Sequence, residues 1–340
     1  MKELDIVFVH LNTEIPKYLI ANLKRTVRIF PNNRVVLITN KDILDTVLPG
    51  VVSFKYVENE YWNKLMQNLN HPKDFRNNFW MISIARFFAI EQYMNTNDSQ
   101  VIHVESDVLL SEDFPLNRFA EIEKPLAFPI VSSLRGVASV LFIQDSKSAE
   151  KLSKFSISRA ESNSDTSDML ILRSYFDIFK EDVFLLPFGP SDLNSFSRDS
   201  ETRIILANRK NTEYFGGVFD GNDLGVYFFG TNPENSRGIS VLRKEIPQNF
   251  ARTKTWNITY DALRNFINII DNTKDEEIKI FSLHATCKKV KLFESGSQSS
   301  ILIRRVSESN FQSKKELDLF AFLHAGSRFI LKKFKTIAYR

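Results

Sequence analysis

The sequence predicts an α/β fold with a mostly parallel sheet flanked by helices. Three observations carry this expectation. Short, nearly continuous apolar runs recur through the first third of the chain, as expected of strands covered on both faces. Helical segments separate them, giving the strand–helix–strand order of a parallel sheet. The chain has 340 residues, 43% hydrophobic and 25% charged, the proportions of a soluble globular protein with a sizeable core.

DIVFVHL (5 to 11) is the first buried strand. Pro16 then opens a helix with Leu19, Leu23, Val27 and Phe30 spaced three and four apart. RVVLITN (34 to 40) and VVSFKYV (51 to 57) read as the second and third buried strands. FWMISIARFFAIEQYM (79 to 94) is the strongest helix, apolar nearly all round, with Arg86 as a lone cation inside it. VIHVESDVLL (101 to 110) begins as a fourth strand. Beyond residue 120, KPLAFPIV and VASVLFIQD read as strands and SKSAEKLSKF as a helix. SNSDTSDMLILRSYF is a loop entering another helix, capped by Ser or Asp. From 190 to 250, Gly, Asn, Ser and Pro dominate with little periodicity, and IKIFSLH supplies a late strand. ESGSQSS marks a joint before an amphipathic basic tail. The expected division is therefore 1–300 as a catalytic unit, with halves 1–120 and 121–300, and 301–340 as a helical tail.

Several classes are excluded or disfavoured. A net charge of +4 is too small to argue for nucleic acid as a partner. The single cysteine, Cys287, rules out an intrachain disulfide and a Cys-based metal cluster and points to a reducing, cytoplasmic compartment. MKELDIVFVH reads as neither a signal peptide nor a membrane span. No Gly-rich phosphate loop follows the first strand, which disfavours ATPases, dehydrogenases and sugar nucleotidyltransferases.

Chemistry concentrates in Glu105-Ser106-Asp107. Residues two apart in an extended chain point to one side. Two carboxylates at the carboxyl end of a parallel strand can share a cation, and ligands of open α/β sheets bind at that end. Oxygen ligands suit Mg²⁺ or Mn²⁺, which in turn hold diphosphates. The alternative is a solvated turn. Arg86, if buried, needs an anionic partner, either a structural carboxylate such as Glu91 or a strand-end Asp, or a donor phosphate. Asn12 and Asn40 end the first two strands, either as ligand contacts at that edge or as ordinary strand-end residues. His103, mid-strand, reads as a hydrogen-bonded core histidine.

With the apolar helix before it, VIHVESDVLL resembles the nucleotide-sugar-binding half of GT-A glycosyltransferases, a Rossmann-like fold. Their Asp-x-Asp motif stands here as Glu105-Ser106-Asp107. The likeness spans roughly residues 5 to 295. It implies that Asp107 binds the divalent ion bridging the donor phosphates, with Glu105 near the ion or ribose. It also implies that His284 is a third metal ligand and Lys288 a cation meeting the diphosphate. Members show a second His two positions later, where Thr286 stands here. SDTSDMLIL resembles the segment with a carboxylate near the transferred sugar, which implies Asp168 at the reaction centre and Asp165 second, unless either merely caps the helix. FDGNDLGVYFFGTNPENSRG (219 to 238) has the small, turn-forming residues of a loop that closes over a ligand on the acceptor side, with Asp220 as a sugar contact, or of a long surface loop.

The expected activity is metal-dependent hexosyl transfer from a UDP-sugar to a glycan or lipid-linked acceptor in bacterial surface polysaccharide synthesis. The alternatives are a catalytically inactive nucleotide- or carbohydrate-binding protein of the same fold, or a sugar nucleotidyltransferase. Arg328, Lys332, Lys333, Lys335 and Arg340 interleave with apolar residues in the tail. Such a helix either meets an anionic membrane on its inner face or packs on the domain with a solvated basic face.

Overall fold

The computed structural model describes residues 3–11, 14–41, 48–70, 78–188, 202–222, 224–225, 256–261, 266–271 and 276–285. Asn12, Lys288, Thr286, the rest of the 219–238 loop and the basic tail lie outside these described residues. In chain order the elements are β1 (Glu3–His10), α1 (Lys17–Ile29), β2 (Val35–Thr39), β3 (Val51–Lys55), α2 (Glu60–Asn68), α3 (Phe79–Met94), β4 (Ser99–Val104) and β5 (Val108–Leu110). They continue with α4 (Leu116–Ala120), β6 (Leu126–Phe128), β7 (Ile130–Ser132), β8 (Arg135–Gly136), β9 (Val140–Ile143), α5 (Ser146–Ser162), α6 (Asp168–Ile178) and β10 (Val183–Leu185). The rest are α7 (Thr202–Phe215), β11 (Gly217–Phe219), β12 (Trp256–Asp261), β13 (Phe266–Asp271) and β14 (Glu276–His284).

The main sheet has seven strands in the order β10-β6-β9-β4-β1-β2-β3, and only β9 runs against the rest. This is the mainly parallel sheet that the strand–helix alternation foretold. Alternation along each strand sorts side chains to two faces. Val7, Val36 and Leu141 join α2, α3, α5 and α6 in one core. Ile6, Phe8, Leu37 and Phe142 face α1, α4 and Phe281 of β14 in the other.

A second sheet, β11-β14-β13-β12, leans on that other face, and β5 also pairs with β14. Phenylalanines weld the two. Phe119 lies 5.4 to 5.9 Å, centroid to centroid, from the rings of Phe114, Phe142, Phe215 and Phe219. Phe219 in turn meets Phe281 at 5.3 Å.

Three sequence expectations need correction. VIHVESDVLL begins as a strand as expected, but its acids are not in extended chain: β4 ends at Val104, a turn carries Glu105 and Asp107, and β5 belongs to the second sheet. VVSFKYV is an edge strand rather than a buried one, with Val52 46% exposed, because no strand continues the sheet beyond β3 among the described residues. The stretch taken as loop after 190 contains α7, whose inward positions include Asn208 and Asn211. Those amides satisfy the backbone of Phe188 and Leu185, so the helix buries polar groups where apolar periodicity was sought. Among the described residues no helix is long and apolar enough to cross a membrane.

Phe119→Ala removes the hub of the aromatic weld and should cost about 3–5 kcal/mol. Urea unfolding should show a lower midpoint with an unchanged slope.

Candidate active site

The site forms where the first sheet hands the chain to the second. At the carboxyl end of β4, the Val108 N–H donates to the Glu105 carbonyl at 2.9 Å, closing a β-turn over Ser106 and Asp107. Two further contacts hold this turn. The Glu105 N–H donates to the Ser139 carbonyl at 3.2 Å, and Asn22 of α1 donates its side-chain amide to the carbonyls of Ser106 (3.2 Å) and Val108 (2.8 Å). Asn22 is fully buried, so these carbonyls are satisfied without water. Sequence reading passed over Asn22 because one polar residue on a helix looks like surface.

His284 arrives from β14, in register with Val108 of β5. Its Nε2 lies 3.3 Å from Asp107 Oδ1 and 3.6 Å from Glu105 Oε2. The sequence argument assumed an extended Glu-Ser-Asp with both carboxylates on one side. The structure uses a turn instead, yet both carboxylates still converge, because β14 brings the imidazole to them. One donor atom from each of Glu105, Asp107 and His284 falls within 4.8 Å of the others. Ligands at roughly 2.1 Å from Mg²⁺ or Mn²⁺ lie about 3 to 4.2 Å apart around it. The set therefore fits a small divalent ion after a shift of a few tenths of an ångström, and two carboxylates with one imidazole suit Mn²⁺ well.

Behind the triad stands Arg86. Its Nη1 donates to Glu105 Oε1, its Nη2 to Asp168 Oδ2 at 2.8 Å, and its Nε to the Ser83 carbonyl at 2.6 Å. It pairs with the strand-end Glu105 and with Asp168, not with Glu91. Asp168 is the first residue of α6, and Ser167 is the cap, accepting from the Leu170 N–H at 3.4 Å. Asp168 is thus free of capping and buried. Asp165 is exposed in the turn before the helix, where its N–H donates to Asn163 Oδ1, and it does not join the Arg86 cluster. Asn40 sits at the same edge of the sheet, past the end of β2, with its amide 3.3 Å from Glu58 Oε1.

Charge and burial compete throughout. Burial works against ionised Glu105, but Arg86 and His284 outweigh it and hold the carboxyl below its usual range. Asp168 goes the other way, because burial raises it more than Arg86 draws it down. For His284 burial disfavours the imidazolium, yet Asp107, Glu105 and Asp220 together push it up to about 9. His103 is a core histidine as expected: burial, then Arg86, take it down to about 3, and its Nδ1 pairs with the Val7 carbonyl at 3.1 Å. Asp220 is not placed as a sugar contact. Its two oxygens accept four backbone N–H groups, from Asn222, Leu224, Gly225 and His284.

No protein-family model matches this chain, and no curated protein does. Among solved structures the chain is similar to the PaToxG glycosyltransferase, at 12% identity and a TM-score of 0.38, over 62% of this chain and 78% of that one. It is similar to mouse xyloside xylosyltransferase 1, at 8% identity and a TM-score of 0.40, over 60% of this chain and 93% of that one. It is also similar to a cytidylyltransferase from Leptospira borgpetersenii, at 12% identity and a TM-score of 0.35, over 63% of this chain and 97% of that one.

Removing Arg86 leaves two buried carboxylates without their cation. Arg86→Met should therefore cost about 3–5 kcal/mol, and adding Glu105→Gln and Asp168→Asn should recover most of it in urea unfolding. In metal-free protein the His284 ion pair contributes stability that is complete below the ordinary histidine value near 6.5 and is lost as pH rises through about 9. His284→Gln should lack that fall, visible as a wild-type-minus-variant difference that shrinks between pH 6 and 9.5.

Proposed function

We propose that this chain is a metal-dependent glycosyltransferase that moves a hexosyl group from a nucleoside-diphosphate sugar, a UDP-sugar, to a glycan or lipid-linked acceptor of a bacterial surface polysaccharide. The supporting observation is the convergence of Glu105, Asp107 and His284 at the carboxyl edge of a mostly parallel sheet. That edge is where open α/β sheets take nucleotides.

In this reading Asp107, Glu105 and His284 hold Mn²⁺ or Mg²⁺. Bound there, the ion supplies positive charge against the donor diphosphate and the leaving nucleotide. His284, whose neighbouring carboxylates push it up to about 9, would have to give up its proton to serve as a ligand, so affinity for an ion would rise with pH. Arg86 fixes the directions of Glu105 and Asp168. Asp168, buried and with raised proton affinity, suits the reaction centre. In an inverting transfer it takes the acceptor hydroxyl proton, and in a retaining one it stabilises positive charge at the anomeric carbon. Asn12 and Asn40 would meet the base and ribose, and Lys288 the diphosphate, as the resemblance to GT-A glycosyltransferases implies. Asp165 is proposed only as an outer contact of the sugar pocket, and the basic tail as a peripheral contact with the inner membrane face.

A second reading keeps the fold and binds nucleotide without turnover, favoured by the engagement of Glu105 with Arg86.

The test is a thermal-shift series of nucleoside diphosphates with and without Mn²⁺, followed by donor hydrolysis. One nucleotide should raise Tm only with Mn²⁺, reversed by EDTA. Asp107→Asn should lose both that shift and hydrolysis while still melting cooperatively without metal, and its metal-free Tm should match wild type most closely above pH 9, where the His284 ion pair is already lost. A metal-dependent shift without hydrolysis would select the binding protein, and full activity in Asp107→Asn would remove the metal role.

A further inference from the structure

Asp220 is a carboxylate that no ion pair occupies among the described residues, and its surroundings are built around it. It is 1% exposed. Oδ1 accepts the N–H of Asn222 at 2.8 Å and of Leu224 at 3.0 Å, while Oδ2 accepts the N–H of Gly225 at 2.8 Å and of His284 at 3.0 Å. Four acceptor sites are the whole capacity of a carboxylate. Three of these donors belong to the turn after β11, and the fourth belongs to the far strand, β14.

The turn is pressed onto that strand. A Cβ on Gly225 would lie 1.7 Å from the His284 carbonyl oxygen, so no side chain fits there. On the other flank, a Cβ on Gly221 would meet Val131 of β7 at 2.2 Å. The Asp220 N–H donates to the Ser282 carbonyl at 3.1 Å, extending the β11–β14 ladder to the site. On the next residue, the Ala285 N–H donates to the Asp107 carbonyl at 2.7 Å. The peptides on the two sides of His284 are therefore held by different anchors, the Asp220 carboxylate before it and the Asp107 backbone after it.

We propose that Asp220 is a positioning residue: its carboxylate latches the N–H groups of Asn222, Leu224 and Gly225 to the backbone of His284 and so sets where the His284 imidazole stands relative to Glu105 and Asp107. Asn at this position could not do the same. Its NH₂ would have to face either the Gly225 and His284 N–H pair or the Asn222 and Leu224 N–H pair, donor against donor. Either choice frees one side of the latch. Residues that orient metal ligands from behind commonly change ion affinity by about 10–100-fold when altered.

The effect on the ion rests on the reading of Glu105, Asp107 and His284 as a cation site, whereas the effect on the imidazole does not. The experiment therefore has two readouts on the full chain of wild type, Asp220→Asn and His284→Gln. The first is the His284 ring resonances in metal-free protein, assigned by their loss in His284→Gln. The second is Mn²⁺ affinity, from the paramagnetic resonance of free Mn²⁺. In folded Asp220→Asn the His284 resonances should move and the Mn²⁺ Kd should rise about 10–100-fold. Unmoved His284 resonances with wild-type Mn²⁺ affinity would overturn the proposal, whatever happens to Tm, since a merely structural turn would lower Tm alone. Equal Mn²⁺ binding by wild type and His284→Gln would remove the metal reading, and the ring resonances would still judge the latch. Should Asp220→Asn not fold, Gly225→Ala disturbs the same latch from the turn side and is read by the same two outcomes.

Discussion

A guanidinium inside an apolar helix sets the geometry of this molecule. Arg86 is surrounded on α3 by Ile84, Ala85, Phe87 and Phe88, all buried. A cation there is tolerated only against anions. Its two partners come from different places, the end of β4 and the start of α6, so satisfying one side chain ties three elements together at the sheet edge. Such a cluster adds little net stability compared with apolar packing, but it allows few arrangements of the elements that carry it.

The choice of Glu at 105 follows from that tie. One oxygen reaches back to Arg86 while the other lies 3.6 Å from the His284 ring. A side chain one methylene shorter would draw the same pair of oxygens back toward β4 and away from these partners. Asp107 Oδ1 lies 3.3 Å from the same ring, so the imidazole is shared by both carboxylates.

Much of this was legible in the sequence, and the failures have physical causes. The parallel sheet could be read because buried strands are continuous apolar runs, and Arg86 because a charge in such a helix demands a partner. The break between β4 and β5 could not, since Val108, Leu109 and Leu110 look the same whichever sheet receives them. The two acids of SDTSD were separated only by where α6 begins: Ser167 caps it, which turns Asp168 inward and leaves Asp165 in solvent. Asn22, Asn208 and Asn211 escaped, and Asp220 was given the wrong role, for one shared reason. Each is buried by bonding to backbone, and polar residues that serve the main chain carry no periodic signal.

The seam between the sheets also joins distant parts of the chain. Glu105 and Asp107 are made early in the chain, and His284 comes from the last strand described here. Contacts between such distant residues close a long loop, and its entropy must be lost before they reward it. Glu105 and Asp168 can meet Arg86 within the first sheet and its helices, but His284 reaches the acids only when the second sheet closes on the first. The convergence of the three side chains is therefore a measure of how completely the two sheets have docked.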